Sequence, residues 1–195
     1  MKLAIIKYNA GNVRSVCYAF ERLGVRPLIT DDPETIVKAD KVVFPGVGEA
    51  GTTMEYLKQN GLDEMICRLK QPVLGICLGM QLLCRYSEES DTECLGVFNA
   101  AVARFRQMEG YKIPHMGWNL TFSTGSLLLD GMDHSNYFYF VHSYYVPLNM
   151  DTAAQTEYIV PFSAVMCRDN FHAVQFHPER SGRAGERLLK NFLRL

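Results

Sequence analysis

Cys77 stands in the run Gly75-Ile76-Cys77-Leu78-Gly79. Small residues two before and two after a potential nucleophile are what a sharp strand-to-helix turn requires. Strand and helix pass closely there, and the nucleophile is pushed outward in strained backbone geometry. The positive end of the following helix favours a thiolate, and its free N–H groups can receive a developing oxyanion. Near the other end of the chain lies Gln175-Phe176-His177-Pro178-Glu179. Extended backbone puts residues i and i+2 on one side, so Glu179 can reach the His177 ring, and Pro178 stiffens the pair. His177 would act as general base toward the thiol and general acid toward a leaving amine, with Glu179 fixing its tautomer. Each motif alone has a plainer explanation: a buried cysteine among packing glycines, and a surface turn. Together, in the order Cys, His, Glu, they point to covalent thiol catalysis.

Pro45-Gly46-Val47-Gly48 follows an apolar run, at the carboxyl end of a strand, where open α/β sheets place ligands. Its glycines let backbone N–H groups aim at a ligand or turn on binding, so Val47 N–H is a candidate oxyanion donor beside Leu78 N–H. A plain tight turn is the other reading. No G-K-[ST] follows, so it is not a phosphate loop, and the chain carries no dinucleotide fingerprint. His115 in His115-Met116-Gly117-Trp118-Asn119 and His142 in Phe140-Val141-His142-Ser143-Tyr144 suit satisfied, half-buried histidines. His134 and His172 stand in no visible constellation. The run Tyr137-Phe138-Tyr139-Phe140 alternates hydroxyl-bearing and apolar rings, as a strand with one wet face does.

The elements that must position these groups alternate along the first half. Leu3 to Ile6, Pro27 to Thr30, Lys41 to Phe44 and Pro72 to Ile76 read as strands. Val13, Val16, Cys17, Phe20 and Leu23 share one helical face, opened by Asn12 and stopped by Gly24. Asp31-Asp32-Pro33 opens a short helix. Helices follow over about 50–59 and 62–69. Strands alternating with helices imply a parallel sheet covered on both faces. Beyond Ala100, β-rich runs (101–105, 126–129, 137–145, 163–166, 171–175) suggest antiparallel additions. Ala184, Leu188, Leu189 and Phe192 mark a final amphipathic helix. The expectation is an α/β three-layer sandwich with a mixed, mostly parallel sheet, in a single domain over 1–195.

With 195 residues, 48% hydrophobic and 21% charged, the composition is that of a globular chain burying roughly 70% of its unfolded surface. A net charge of −1 leaves no electrostatic footprint for nucleic acid or an anionic membrane. The six cysteines form no C-x-x-C pair and no zinc-like block, so neither metal nor cofactor is expected. Cys17, Cys67 and Cys84 sit among apolar residues in segments that read as helix. The N-terminal apolar run is too short for a signal peptide, and nothing approaches a membrane span, so a reduced cytoplasm is expected.

Taken together, Gly11 to Val16, Pro45 to Gly48, Gly75 to Leu83, Pro114 to Asn119, Tyr139 to Tyr144 and Gln175 to Ser181 closely resemble class I (triad-type) glutamine amidotransferases. The elbow and H-P-E belong to the whole class. The P-G-V-G, H-M-G-W-N and F-V-H-S-Y blocks resemble more narrowly the glutaminase subunits of imidazole glycerol phosphate synthases, of the histidine pathway. The resemblance implies a flavodoxin-like glutaminase fold and glutamine hydrolysis to glutamate and ammonia through a Cys77 thioester. It also implies a heterodimer with a (β/α)8-barrel cyclase, which receives the ammonia and makes imidazole glycerol phosphate and aminoimidazole carboxamide ribotide. It assigns Cys77, His177 and Glu179 to catalysis and Val47 and Leu78 to the oxyanion N–H groups. Gly48, Gln81, Glu89, His142, Ser143 and Tyr144 match the glutamine pocket, with Glu88 an adjacent acceptor for the role of Glu89. Trp118, Tyr137 and Arg180 match positions facing the cyclase. The family usually carries an acidic residue where this chain has Lys7. Other readings are the glutaminase of another amidotransferase, a non-catalytic subunit on the same fold, or a stand-alone cysteine hydrolase. The intact Cys77, His177 and Glu179 argue against the second of these, and the late H-x-E against the third.

Overall fold

The computed structural model describes residues 1–8 and 13–195; the expected helix start at Asn12 and the Gly11-Asn12 part of the first block lie outside them. The chain runs β1 (Leu3–Ile6), α1 (Val13–Arg22), β2 (Leu28–Thr30), α2 (Pro33–Val37), β3 (Lys41–Phe44), α3 (Ala50–Gln59), α4 (Leu62–Cys67), β4 (Val73–Ile76) and α5 (Leu78–Leu82). It continues through β5 (Cys84–Ser87), β6 (Thr92–Glu93), β7 (Phe98–Arg104), β8 (His115–Ser123), β9 (Ser135–His142), β10 (Tyr144–Tyr145), β11 (Thr152–Tyr158), β12 (Val160–Arg168), β13 (Phe171–Val174) and α6 (Gly182–Arg194).

Nine strands form one sheet in the order β2-β1-β3-β4-β13-β12-β11-β8-β9. The first five are parallel, and β12, β11, β8 and β9 extend the sheet antiparallel. The central parallel strands are covered on both faces, which is why they read as unbroken apolar runs. Ala4, Ile6, Val42, Phe44 and Val73 pack with α2 to α5 and with the small sheet β10-β7-β5-β6. Leu3, Ile5, Val43, Leu74 and Ile76 pack with Val16, Cys17 and Phe20 of α1 and Leu188, Leu189 and Phe192 of α6. The three-layer α/β sandwich with a mixed sheet is therefore as expected.

Local chemistry sets most boundaries. Asp32 caps α2 by accepting from Thr35 N at 2.9 Å, with Pro33 in the first turn, where its missing N–H costs nothing. Gly24, at φ +80°, ends the turn after α1. Four expectations differ, the first being that β13, in the run 171–175 expected as an antiparallel addition, lies parallel to β4 because it is seated between β4 and β12. The stretch 126–129 holds a 3-10 turn, Leu127–Leu129, because the Ser126 hydroxyl accepts from Leu128 N and Asn191 of α6 donates to Leu128 O and Asp130 O. Cys84 is fully buried in strand β5, α5 having ended two residues earlier, while Cys67 lies exposed at the end of α4. Strands β8 and β11 carry little strand signature of their own; they are strands because each lies between two neighbours, a case of tertiary pairing deciding over propensity.

Among the described residues, no helix is long and apolar enough to cross a membrane. Lys7 is exposed, 3.8 Å from Asp31 at the carboxyl end of β1, a surface pair worth at most about 1 kcal/mol.

The contact that shapes the site is between backbones. A Cβ on Gly79, in the first turn of α5, would collide with Phe44 O at the end of β3, and one on Gly46 with Gly79 N and Leu78. The second and last glycine of the elbow is thus needed for the β3–α5 approach. Gly79→Ala is expected to cost about 1–3 kcal/mol, read as a lower denaturant midpoint; an unchanged midpoint would contradict this packing.

Candidate active site

Cys77 joins β4 to α5 at φ 54°, ψ −109°, a conformation that side-chain-bearing residues rarely adopt. Such strain costs about 1–3 kcal/mol and persists only where the surroundings enforce it. Here Cys77 N donates to Val174 O at 2.8 Å, and Cys77 O accepts from Met80 N at 3.0 Å and Gln81 N at 3.2 Å. The helix after it is only five residues long, so any help to a negative sulfur comes from its first N–H groups rather than from a long aligned dipole. The sulfur borders a cavity of 430 Å³ that His177, Val47 and Leu78 also line.

The His177 ring shares the cavity wall with Cys77 and interacts with it, and it meets Glu179 Oε1 through Nδ1 at 2.9 Å. A carboxylate accepts, so Nδ1 carries a proton and Nε2 is left for the sulfur. Ser181 fixes this turn: its hydroxyl donates to His177 O at 2.6 Å and accepts from Tyr139 N at 3.0 Å, and His177 N donates to Tyr139 O at 2.9 Å. Glu179 Oε2 is buried with no hydrogen-bond partner among the described residues, which leaves its charge dependent on the imidazolium.

The loop 45–48 rests on the elbow. Gly46 is a packing residue, whereas Gly48, at φ +126° with open space around it, gives the loop its conformational freedom. Tyr8 is buried and donates its hydroxyl to Pro45 O, with the Val47 N–H close enough to favour the phenolate slightly. Burial pushes its phenol up, as does the neighbouring Cys77 charge, against the Val47 contact. The hydroxyl therefore stays protonated and keeps hold of the loop.

The remaining predicted pocket residues converge on the same cavity: Gly48, Gln81, Glu89, His142, Ser143 and Tyr144 line it, with Arg180 at the same opening. Glu89 accepts from Ala50 N at 2.9 Å, whereas Glu88 accepts from Arg104 N at 2.7 Å and does not line the cavity. Burial raises the Glu89 carboxyl, opposed by the Ala50 N–H and assisted by the Glu49 charge. Trp118 and Tyr137 do not line it; they stand exposed on β8 and β9, at 55% and 60%.

His115 and His142 are both buried and bonded to each other at 3.0 Å. His142 Nδ1 lies 2.7 Å from Tyr144 O, and His115 Nε2 lies 3.2 Å from Asn119 Nδ2. A carbonyl only accepts, so His142 Nδ1 donates, its Nε2 accepts from His115, and His115 Nε2 accepts from Asn119. Burial lowers His115 to about 4 and, with the His115 and His177 charges against the Tyr144 bond, His142 to about 3. Both rings are neutral in the physiological range. The satisfied-histidine reading thus holds for His115, and His142 combines it with a place on the cavity wall. No local pattern marks Tyr8 as a site-supporting residue, since its partner Pro45 is 37 positions away; Asn119 lies four positions from His115, within the H-M-G-W-N block.

A Cys-His-Glu arrangement on a parallel sheet admits several hydrolases, and similarity to known proteins decides among them. The model of the family "Glutamine amidotransferase class-I" matches residues 4–195.

The chain belongs to the class I glutamine amidotransferases.

Amidotransferases of this class hydrolyse glutamine, and within it the chain is 59% identical over 196 residues to a Bacteroides thetaiotaomicron protein named imidazole glycerol phosphate synthase subunit HisH, covering 100% of both. It is 46% identical to the protein of the same name from Escherichia coli K12, again over 100% of both. Solved structures show the shared fold. One is a glutamine amidotransferase with TM-score 0.76, 20% identity, and coverage of 98% of this chain and 97% of that one. Another is a glutamine amidotransferase from Thermotoga maritima, with TM-score 0.68, 19% identity, and coverage of 100% and 83%.

In this amidotransferase burial opposes a charged His177, but hydrogen bonds to Cys77 and Glu179 and the charges of both outweigh it, and the ring is raised from 6.5 to about 10. With a raised value in the folded state, the stabilisation is fully present below the ordinary histidine range and is lost as pH rises through about 10. The His177 ring nitrogens, followed by 15N NMR, are expected to titrate near that pH, and at distinctly lower pH in Glu179→Gln; titration near 6.5 in the parent would contradict the ion pair.

Proposed function

We propose that this chain is the glutaminase subunit of an imidazole glycerol phosphate synthase, supplying ammonia from glutamine to a (β/α)8-barrel cyclase in histidine biosynthesis. The observation that carries the reading is the 59% identity, over the full length of both chains, to a protein bearing that name. The Cys77–His177–Glu179 arrangement beside the cavity supports the chemistry.

In this reading glutamine lies in the cavity with its side-chain amide at Cys77. Glu89 receives the α-ammonium, and Gly48, Gln81, His142, Ser143 and Tyr144 form the remaining walls. The Cys77 thiolate attacks the amide carbon, and the charge that develops on oxygen is met by Leu78 N–H and Val47 N–H. His177 gives its proton to the departing nitrogen, leaving a γ-glutamyl thioester and ammonia. It then takes a proton from water, whose oxygen attacks the thioester carbon, and glutamate leaves as the thiol is restored. Glu179 holds Nδ1–H throughout.

Exposed apolar side chains support a partner on one side of the site. Met116 and Trp118 on β8 and Tyr137 on β9 are 63%, 55% and 60% exposed, and the pairing of Met116 with Val141 continues that hairpin to the cavity wall. Arg180 stands at the same opening. A cyclase seated there would cover the cavity, so that ammonia passes to it without meeting solvent. The Tyr8 hydroxyl, bonded to Pro45 O, holds the 45–48 loop with Val47 N–H beside the phenol. Docking then has a defined task, which is to turn that N–H toward the cavity.

Glutamate release, measured for the chain alone and mixed with the cyclase and its nucleotide ligand, is expected to rise strongly in the mixture. Equal turnover in both would contradict the coupling. Cys77→Ala is expected to lower turnover by roughly 10⁴-fold or more, and wild-type turnover in that variant would remove the mechanism. Tyr8→Phe is expected to raise turnover of the chain without its partner; a rate at or below the parent's would show that the phenol does not restrain the loop.

A further inference from the structure

We propose that Gln175 is a catalytic residue of this amidotransferase, an amide donor to the Cys77 sulfur that Gln81 locks into a single orientation. The inference rests on the reading of Cys77 as the nucleophile. Gln175 follows β13 directly and is fully buried. Its Nε2 lies 3.7 Å from Cys77 Sγ, within range of a hydrogen bond to sulfur, and its Oε1 lies 3.0 Å from Gln81 Nε2.

The orientation of both amides follows from what each neighbour can do. Tyr144 O only accepts; it lies 2.9 Å from Gln81 Nε2 and 2.7 Å from His142 Nδ1. The Gln81 nitrogen is therefore the end that points to it, and its second hydrogen is directed at Gln175. Gln175 must answer with its oxygen, which sends its own nitrogen to the sulfur. Turning the Gln175 amide over would set two NH2 groups face to face and a carbonyl oxygen against the sulfur. Gln81 is 4% exposed, so no solvent stands ready to relieve either clash.

The other groups facing the sulfur define what this donor adds. Val141 O, at 3.7 Å, can accept from the thiol and so favours the protonated form. His177 faces it as the proton carrier, held by Glu179, and the Tyr8 phenol lies near enough to feel its charge. A neutral N–H held on the sulfur binds a thiolate more strongly than a thiol or a thioester sulfur. It therefore assists twice: when the thiolate forms before attack, and when sulfur leaves the γ-glutamyl group with the bond's electron pair. Gln81 contacts Gln175 and not the sulfur, and is a positioning residue in this scheme.

The test is the pH dependence of iodoacetamide alkylation at Cys77 in the full chain, followed by mass spectrometry of the peptide that carries it. In Gln175→Met, which fills the space without a donor, the midpoint is expected to move up by about one pH unit, tenfold in the thiol–thiolate equilibrium. Gln81→Met is expected to shift it in the same direction, since the Gln175 amide is then free to turn. A folded Gln175→Met whose profile superimposes on the parent's would overturn the proposal. A measurement on the parent protein stands independently of any variant's folding: the Gln175 side-chain amide resonances should follow the titration of the Cys77 thiol. Resonances that ignore it would equally overturn the proposal. Neither readout uses glutamine, so failure of the nucleophile assignment, seen as retained turnover in Cys77→Ala, is distinguishable from failure of this one.

Discussion

The site depends on a backbone approach that leaves no room for side chains, between the end of β3 and the first turn of α5. Gly79 against Phe44 O, and Gly46 against Gly79 N and Leu78, bring the 45–48 loop onto the elbow. This contact brings Val47 and Leu78, from distant parts of the sequence, to the wall of the cavity that Cys77 borders. It also helps to hold Cys77 at a positive φ, because neither β4 nor α5 can move to relax it. Strain of this kind is maintained by the sheet on one side and the loop on the other.

Charge is distributed around the Cys77 sulfur with a consistent logic. One buried histidine, His177, is raised by its interactions with Cys77 and Glu179, while two others, His115 and His142, are kept neutral by burial. The neutral pair serves geometry: its tautomers run in one direction from Asn119 to Tyr144 O. That carbonyl then fixes Gln81, and Gln81 fixes Gln175. A polar network in which each donor meets an acceptor rigidifies a site, whereas one unpaired member would destabilise it.

Much of this was legible in the sequence because it is written locally. The G-x-C-x-G and H-P-E spacings specify a turn and an i, i+2 pair, and the apolar runs of β1, β3 and β4 announce strands covered on both faces. What could not be read was set by long-range partners. Strand β11, in which two alanines stand among polar residues, takes its state from β12 and β8. The 3-10 turn at Leu127–Leu129 depends on Asn191, 63 positions from Leu128. Gln175 was visible as part of a motif, but its role depends on Gln81, 94 positions away. Tyr8 carried no signal, since a tyrosine after a strand says nothing about which loop its hydroxyl will hold.

Catalysis in this scheme turns on whether Cys77 carries the substrate covalently. The direct measurement is rapid acid quenching of the complex with the cyclase during glutamine turnover, with peptide mass spectrometry. A γ-glutamyl group, lost on alkaline treatment as a thioester is, should be found on the peptide containing Cys77. An acyl group on any other residue, or turnover with none on Cys77, would contradict covalent catalysis at this sulfur.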